Sequence, residues 1–224
     1  MFARIAGRYD FLNRTLSGGM DVLWRRKVVR DLGPLAGCTA VDVACGTGDL
    51  ALGLARGGAR VLGVDFTHEM LAHAPRKAAQ PGAVGAGQVV GWVQGDGLHL
   101  PLPDGSVDVV TIAFGLRNVA DRGACLQELG RVLRPGGRLV ILECGLPRNR
   151  ALGAIYRGYF TRVLPVLGGW VSGDRSAYEY LPASVLAWPG PDALAREVEA
   201  AGFRGVSIAT LSGGAAYIHA ATRV

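Results

Sequence analysis

The sequence predicts a single α/β domain built on a doubly wound, mostly parallel sheet of seven strands. Two alternating patterns carry this prediction. Apolar, mostly β-branched runs bounded by glycine or charge predict strands at 40–44, 60–64, 89–93, 107–113, 138–143, 204–210 and 215–222. Helical spacing of apolar residues predicts helices at 48–56, 68–78, 121–133 and 191–201. Strands and helices that alternate in this way form a parallel sheet with helices on both faces.

Two helical segments lie outside this alternation. Residues 1–32 carry an apolar side chain every three or four positions, and we interpret them as an N-terminal helical lid. Residues 146–190 are rich in arginine and aromatic residues and contain no predicted strand, so we interpret them as a helical cap insertion. An insertion this late in a doubly wound sheet lies over the carboxyl ends of the strands, where such sheets bind ligands. Residues 1–224 are therefore expected to form one domain.

Composition narrows the class of protein. Half of the 224 residues are hydrophobic, which favours a globular core and excludes disorder. The N-terminus, "MFARIAGRYD", carries charges where a signal peptide needs an apolar run, and the chain has no uncharged apolar run of about 18 residues. The four cysteines form no CxxC pair and have no histidine at metal-ligand spacing. We therefore expect a cytoplasmic protein with reduced cysteines and no metal.

The net charge of +6 is unevenly distributed. Residues 1–30 hold seven basic and two acidic residues, and residues 148–175 hold five arginines and one aspartate. Three readings stay open: a solvated surface, an anionic membrane surface, or nucleic acid. The stretch 151–171 mixes large apolar residues with Arg157 and Arg162, which is typical of a face on lipid, of a tunnel for an apolar tail, or of an ordinary packed cap.

A glycine turn follows the first predicted strand in "VDVACGTGDLALGLA", residues 41–55. Gly46, Thr47 and Gly48 allow a ligand to approach the backbone closely, although Gly-x-Gly alone is a weak signal. A dinucleotide would place its pyrophosphate at the start of the following helix. Here Asp42 and Asp49 flank the turn, so they would repel a pyrophosphate and suit a ligand with an amino group and a sulfonium.

Two further acids end the next strands. Asp65 closes the second strand and is placed to accept both hydroxyls of a ribose. Asp96, in "QGDGLHLP", closes the third strand and can accept from an adenine amino group, with the Gly97 amide beside it. Each acid alone has a plain structural reading as a helix cap or a helix N-terminal charge. Four acids at successive strand ends in one cleft predict S-adenosylmethionine as the ligand.

Five segments then occur in order: "YDFLN" (9–13), "DVACGTGDL" (42–50), "LPLPDGSVDVVTIAFGLRNV" (100–119), "RVLRPGGRLVILE" (131–143) and "AYEYLP" (177–182). Together they resemble the ubiquinone/menaquinone biosynthesis C-methyltransferase family over nearly the whole chain, and "TIAFGLRNV" is far more specific than the glycine turn. The resemblance implies a class I S-adenosylmethionine-dependent methyltransferase fold. It also implies methylation of a ring carbon of a polyprenylated hydroquinone, with demethylmenaquinol as the first substrate and a benzoquinol of ubiquinone biosynthesis as the alternative.

The resemblance also implies site residues. Carried over by position, cofactor contacts fall on Thr47, Asp65, Asp96 and Gly97. Some relatives have serine before "FG", where this chain has Ala113, so only a backbone contact remains at that position.

Methylation of a ring carbon requires a phenolate to be stabilised and a proton to be removed. Arg117 and Asn118 follow the fourth strand, where a substrate would face the sulfonium. Arginine is a poor base, so we assign Arg117 to phenolate stabilisation and Asn118 to orienting a water or hydroxyl. Tyr9, on the N-terminal segment, is the expected proton relay. His99, beside the cofactor site, is the alternative base.

Rival classes are disfavoured by what the chain lacks. A nucleic-acid methyltransferase fits the basic charge, but the chain has neither an Asn/Asp-Pro-Pro-aromatic motif nor a Pro-Cys nucleophile. The acids around the turn disfavour an NAD-dependent dehydrogenase, and "GLRNV" disfavours a non-enzymatic binding module. We expect a quinol partner, transient contact with the inner face of the membrane and no nucleic acid. A homodimer is compatible with the sequence, which does not determine the oligomeric state.

Overall fold

A computed structural model of the chain describes residues 6–85, 87–147, 149, 153, 156, 158 and 184–224. It begins with a short 3-10 turn at Ala6–Arg8, followed by the helices α1 (Tyr9–Ser17) and α2 (Met20–Leu32). Gly18 and Gly19 separate these helices with φ angles of 60° and 78°, a left-handed conformation that favours glycine and ends α1. Helix α2 buries Trp24, Val28 and Leu32, which lie four residues apart on one face.

The seven predicted strands form one sheet in the order β3-β2-β1-β4-β5-β7-β6. Strands β1 to β5 pair in parallel, whereas β7 is antiparallel to both β5 and β6. Their bounds are β1 Thr39–Val43, β2 Arg60–Asp65, β3 Gln88–Gln94, β4 Val107–Ala113, β5 Leu133–Cys144, β6 Phe203–Leu211 and β7 Ala216–Arg223. The predicted seven-stranded, mostly parallel sheet is confirmed. Because β1 and β4 are neighbours in space but not in sequence, the order reverses between them, and ligands bind at such a switch point.

The remaining helices follow the predicted alternation with one difference. They are α3 Asp49–Arg56, α4 His68–Leu71, α5 Ala74–Ala78, α6 Arg122–Val132 and α7 Pro191–Ala200. The single helix predicted at 68–78 is two short helices, because Pro75 lies in the first turn of α5 and begins a new helix there. Asp121 caps α6 by accepting a hydrogen bond of 2.9 Å from the Ala124 amide.

Strand β5 begins at Leu133, five residues before the start that the sequence predicts for it. Leu133 already pairs with Val107, and the register then shifts so that Arg138 pairs with Val109. Gly136 accommodates the irregularity with a φ of 78°. Pro135 and Gly136 therefore cause an irregularity within strand β5 and do not end its pairing with β4.

Two hydrophobic cores cover the two faces of the sheet. Helices α2 and α3 contribute to one core through residues such as Val28 and Leu54. Helices α6 and α7 contribute to the other through residues such as Leu126 and Leu194. The strands contribute alternate residues to each core, as expected for a sheet that is buried on both faces.

Most of the predicted cap insertion, including Arg157 and Arg162, lies outside the described residues. Its role as a cap, and the role of residues 1–32 as a lid, stay predictions. Within the described part of the chain, no helix is long and apolar enough to cross a membrane.

Candidate active site

The glycine turn between β1 and α3 has an unusual backbone. Ala44, Gly46 and Gly48 all have positive φ angles, of 52°, 56° and 88°. Ala44 is the exception among them, because a left-handed conformation is unfavourable for a residue with a Cβ atom. Gly48 must lack a side chain for a second reason: a Cβ there would lie 2.9 Å from Cζ3 of Trp92. The turn therefore allows a ligand in the neighbouring space to approach its backbone amides closely.

Asp65, at the end of β2, holds this turn in place. One carboxylate oxygen accepts a hydrogen bond of 2.7 Å from the Gly46 amide, and the other accepts one of 2.8 Å from the Thr67 amide. Burial raises the pKa of Asp65, although the two amides counteract this effect. A carboxylate has about four lone-pair sites, so Asp65 can still accept from a ligand.

A cavity of about 400 Å³ lies at the carboxyl ends of the strands, beside the turn. Its wall includes seven of the eleven residues predicted for the site: Tyr9, Gly46, Asp65, Asp96, Gly97, Ala113 and Asn118. The wall is otherwise largely apolar, with Phe66, Met70 and Ile112 among its members. A mostly apolar cavity with a few convergent polar groups is typical of a small-molecule site.

Four of the predicted residues lie elsewhere in the described structure: Asp42, Thr47, Gly48 and Arg117. Asp42 is buried behind the turn, where its Oδ1 accepts a hydrogen bond of 2.7 Å from Thr111. Its Oδ2 is buried without a hydrogen-bond partner among the described residues. Burial raises the pKa of Asp42 to about 7.

The Thr47 hydroxyl points to helix α1. It donates to Asp10 at 2.6 Å, and Lys77 donates to the same Asp10 at 2.8 Å and to Thr47 at 3.0 Å. Lys77 also pairs with Asp49, which lies 3.5 Å from Arg14 as well. Lys77 and Arg14 thus compensate the charge of Asp49, so Asp49 is no longer expected to repel a pyrophosphate. Asp42 forms no ion pair with the described residues, although the charge of Arg25 lowers its pKa against the larger effect of burial.

These contacts attach α1 to the turn, and Tyr9, next to Asp10, lines the cavity. Burial raises the pKa of Tyr9, and the charges of Arg25 and Arg117 act in the opposite direction. Asp10 and Lys77 were not predicted from the sequence. Asp10 belongs to the "YDFLN" segment, but its partner Lys77 carries no sequence signal.

Arg117 lies behind the cavity wall in a buried ion pair. Its Nη1 donates to Glu143 at 2.6 Å and its backbone amide donates to the same carboxylate at 3.2 Å. The side chains are only 7% and 1% exposed. Burial alone would lower the pKa of Arg117, but the charge of Glu143 outweighs it and raises this pKa above its usual value. Arg117 therefore stays protonated, and its Nε is a buried donor without a partner among the described residues.

The segment between β4 and Arg117 is strained. Phe114 has a φ of 59°, and its amide donates to the Leu142 carbonyl at 2.8 Å. Its ring packs against α2, with the Trp24 ring centroid at 6.2 Å and the Arg25 guanidinium 5.1 Å above it. Asn118 donates to the Phe114 carbonyl at 3.3 Å. Helix α2 thus helps to hold the backbone from which Asn118 enters the cavity.

None of the four histidines, all of which lie in the described residues, lines the cavity. His99 is exposed on the loop after Asp96, with its amide bound to the Asp96 carbonyl at 3.0 Å. It was the alternative base, and its side chain is not in the cavity. His219 is buried and lies 2.8 Å from the Pro191 carbonyl. Of the two groups that the sequence suggested for proton transfer, Tyr9 lines the cavity and His99 does not, and Asn118 in the same wall can orient a water or hydroxyl.

A doubly wound sheet of this order, with a glycine turn and strand-end acids around one cavity, defines the class I methyltransferase fold. Solved structures agree: an S-adenosylmethionine-dependent methyltransferase from Aquifex aeolicus is 21% identical, with a TM-score of 0.60 over 89% of each chain. Magnesium protoporphyrin IX methyltransferase from Synechocystis PCC 6803 is 20% identical, with a TM-score of 0.61 over 92% of this chain and 87% of that one. At this identity the likeness shows the fold alone.

The model of the ubiE/COQ5 methyltransferase family matches residues 1–223, and the chain belongs to that family. A demethylmenaquinone methyltransferase from Thermus thermophilus is 51% identical over 100% of both chains. One from Corynebacterium kroppenstedtii is 40% identical over 100% of this chain and 93% of its own. A ubiquinone/menaquinone biosynthesis C-methyltransferase from Geobacter sulfurreducens is 47% identical over 91% of this chain and 79% of its own. The predicted family and enzyme class are confirmed.

We predict that Gly115→Ala destabilises the fold by about 1–3 kcal/mol, because its Cβ would overlap the Cβ of Ala44. Ala44→Gly removes that atom and a left-handed alanine together, so the double variant should regain most of the loss. Urea unfolding of both single variants and the double variant measures this coupling. Additive effects of the two substitutions would contradict the contact.

We also predict that Asp10→Asn lowers the free energy of unfolding by about 1–2 kcal/mol at pH 7, through loss of charge-assisted hydrogen bonds. The hydrogen bonds from Lys77 and Thr47 outweigh burial and lower the pKa of Asp10. Its stabilisation is therefore complete above the unfolded pKa of about 4 and is lost as pH falls through the lower folded value. The difference between wild type and variant should shrink over that acidic range.

The control for this experiment is Asp31→Asn. Asp31 pairs with Lys27 at 2.7 Å on the outer surface of α2, where the side chains are 39% and 32% exposed. An exposed pair of this kind contributes about 0–1 kcal/mol. Equal losses in the two variants would show that the Asp10 cluster is an ordinary surface ion pair.

Proposed function

We propose that the chain transfers a methyl group from S-adenosylmethionine to a ring carbon of a polyprenylated hydroquinone, converting demethylmenaquinol to menaquinol. The observation that carries the proposal is the cavity of about 400 Å³, whose wall combines Gly46 of the turn and the strand-end acids Asp65 and Asp96 with largely apolar side chains. Relatives named demethylmenaquinone methyltransferase, up to 51% identical over the full chain, supply the substrate class.

The residues around the turn fit this methyl donor. In the proposed arrangement Asp65 accepts from the ribose hydroxyls while it holds Gly46, and Asp96 accepts from the adenine amino group. Asp96 is itself positioned by the Leu98 amide, which donates to its side chain at 3.0 Å. The Gly97 amide and the Ala113 backbone complete the contacts. When bound, S-adenosylmethionine supplies an electrophilic methyl group on its sulfonium.

Asp42 acts from behind the turn in its ionised form, which a bound cationic ligand would favour because burial alone raises the pKa of Asp42 to about 7. It lies outside the cavity wall, so we assign it an electrostatic role in favouring a cationic ligand. Thr47 and Gly48 act through the backbone: the Thr47 hydroxyl is engaged by Asp10, and Gly48 permits the close turn.

Ring methylation needs electron density on the carbon beside a hydroxyl, and deprotonation of that hydroxyl supplies it. The charge of Arg117 already acts on Tyr9, whose pKa it lowers against the effect of burial. The same charge would lower the pKa of a hydroquinol held beside Tyr9, which is the phenolate stabilisation that we assign to Arg117. Asn118, bound to the Phe114 carbonyl, would orient a water or hydroxyl, and Tyr9 would relay the proton.

The alternative substrate is the benzoquinol of ubiquinone biosynthesis. The relative from Geobacter sulfurreducens carries both pathways in its name and is 47% identical. Contact with the membrane and a homodimer remain proposals beside this function.

The test is an assay of the pure protein with radiolabelled S-adenosylmethionine and reduced demethylmenaquinone or a demethylated benzoquinol. We expect methylated menaquinol as the main product. Asp65→Ala should weaken binding of S-adenosylmethionine by about 2–4 kcal/mol in calorimetry, because charged hydrogen bonds in a buried cleft are lost. Transfer to the benzoquinol alone would replace the proposed substrate, and no transfer to either quinol would reject the function.

Arg117 offers a second test. Arg117→Ala should lower kcat by ~100-fold or more and leave affinity for S-adenosylmethionine nearly unchanged. Its rate should rise to wild-type levels only at higher pH, because the hydroquinol keeps a pKa nearer its free value. Arg117→Lys should recover part of the rate, since the charge remains but the planar fork is lost.

The buried ion pair requires a control in this test. Arg117→Ala leaves Glu143 buried without its partner, which costs about 3–5 kcal/mol of stability. The double variant Arg117→Ala/Glu143→Ala removes that penalty. If the double variant regains both stability and wild-type kcat, Arg117 is structural and does not act on the substrate.

A further inference from the structure

A second cavity, larger than the first, lies on the outside of the N-terminal helices. It is a groove of about 650 Å³ between α2, α3 and residues 77–83, and it shares no lining residue with the cavity at the strand ends. Its lining is strongly basic and includes Arg14, Arg25, Arg26, Arg56 and Lys77. The methyl-transfer mechanism uses none of these five side chains on the substrate.

Not all of this charge is compensated. Arg25 pairs with Asp21 at 2.6 Å, Lys77 pairs with Asp10 and Asp49, and Arg14 lies 3.5 Å from Asp49. Arg26 forms no ion pair with any described residue, and Arg56 donates only to the Ala83 carbonyl at 3.0 Å. Arg26 and Arg56 are both exposed, so the groove is lined by two guanidinium groups whose charges have no ion-pair partner among the described residues.

Large apolar side chains are exposed on the same two helices. Phe11 on α1 is 60% exposed and Leu23 on α2 is 51% exposed. Each lies three residues before a groove arginine, Arg14 and Arg26 respectively, and so shares a helix face with it. We call Phe11, Leu23, Arg26, Arg56 and the groove between them the α1–α2 surface.

Exposed apolar side chains among arginines are typical of a helix that lies at a lipid–water interface. The apolar tips enter the acyl boundary and the arginines meet lipid phosphates. RNA would also be attracted by the charge, and Phe11 could stack on a base, but the aliphatic Leu23 offers no flat face for stacking, whereas both side chains suit an acyl boundary. The combination of free cations with an exposed leucine therefore favours a membrane over RNA.

We propose that the α1–α2 surface docks the protein on an anionic membrane, with lipid phosphate groups in the basic groove. The inference rests on the proposed function, because a polyprenyl quinol resides in the membrane. Docking at this surface would also be coupled to the active site through helix α1. Phe11 is on the same helix as Tyr9, which lines the cavity, and Asp10 accepts a hydrogen bond from Thr47 of the turn. The α1–α2 surface, as defined by its residues, includes none from the stretch 151–171, which is almost wholly outside the described residues.

The experiment is co-sedimentation with vesicles of phosphatidylcholine containing one-quarter phosphatidylglycerol, and with vesicles of phosphatidylcholine alone. Wild type should bind the acidic vesicles, with affinity falling as salt is raised. A basic residue near an anionic membrane contributes about fivefold to partitioning, so Arg26→Glu/Arg56→Glu should weaken binding by ~25-fold or more. Phe11→Ala/Leu23→Ala should weaken it by about 10-fold without any change of charge.

A matched control carries the same change of charge elsewhere. Arg196 on α7 and Arg204 on β6 are exposed and form no ion pair with the described residues, and α7 belongs to the core on the other face of the sheet. Arg196→Glu/Arg204→Glu should bind acidic vesicles within about twofold of wild type. Equal loss in the control and in Arg26→Glu/Arg56→Glu would show a general charge effect and overturn the proposal.

Three other results would also overturn it: no vesicle binding by wild type, unchanged binding by Phe11→Ala/Leu23→Ala, and tighter binding to single-stranded RNA than to acidic vesicles. Methyl transfer to a demethylated naphthoquinol without a polyprenyl tail, in solution, keeps this test separate from the proposed function. Arg26→Glu/Arg56→Glu should methylate that quinol at the wild-type rate. Vesicle binding without any transfer by wild type would reject the function, and transfer without vesicle binding would reject the docking surface.

Discussion

The hydrogen bond from the Gly46 amide to the Asp65 carboxylate is the contact on which the rest of the site depends. The backbone leaves β1 in a left-handed conformation at three positions, and such a turn exposes amides that need acceptors. Asp65, at the end of the neighbouring strand, accepts from Gly46, and its other oxygen accepts from Thr67. One buried carboxylate thereby joins the ends of β1 and β2 and shapes the wall of the cavity between them. Its burial makes these hydrogen bonds stronger than they would be in water.

The position of helix α1 follows from the geometry of this turn. Thr47 comes directly after Gly46, and its hydroxyl reaches Asp10 because the turn directs it away from the cavity. Lys77 then bridges Asp10 and Asp49, so an acid on α1 and an acid at the start of α3 share one cation. Without Lys77 these two acids would repel each other. These contacts hold helix α1, whose first residue Tyr9 lines the cavity, and so link the N-terminal segment to the proposed ligand site.

The opposite side of the cavity depends on a different constraint. The ion pair of Arg117 and Glu143 is buried, and removal of two charges from water is costly. Such a pair is weak evidence for stability, but it fixes a guanidinium whose charge lowers the pKa of Tyr9 against the larger effect of burial. The strained backbone at Phe114, packed against Trp24 and Arg25 of α2, completes this side. Both sides of the cavity are therefore braced by the N-terminal helices, one through charges and the other through aromatic packing.

The sequence by itself determined the seven strands, their alternation with helices, the family, and seven of the residues that line the cavity. This was possible because hydrophobic period, glycine turns and strand-end acids are local signals, and because parallel strands bring their carboxyl ends to one edge. Only the tertiary structure decided which charged side chains form ion pairs with each other. Lys77 reaches Asp10 across 67 positions of sequence and Glu143 reaches Arg117 across 26, and no local pattern encodes such distances. The same limit explains why His99, close to Asp96 in sequence, lies outside the cavity: two residues on one loop can face opposite directions, and packing alone selects the side chain that faces the ligand.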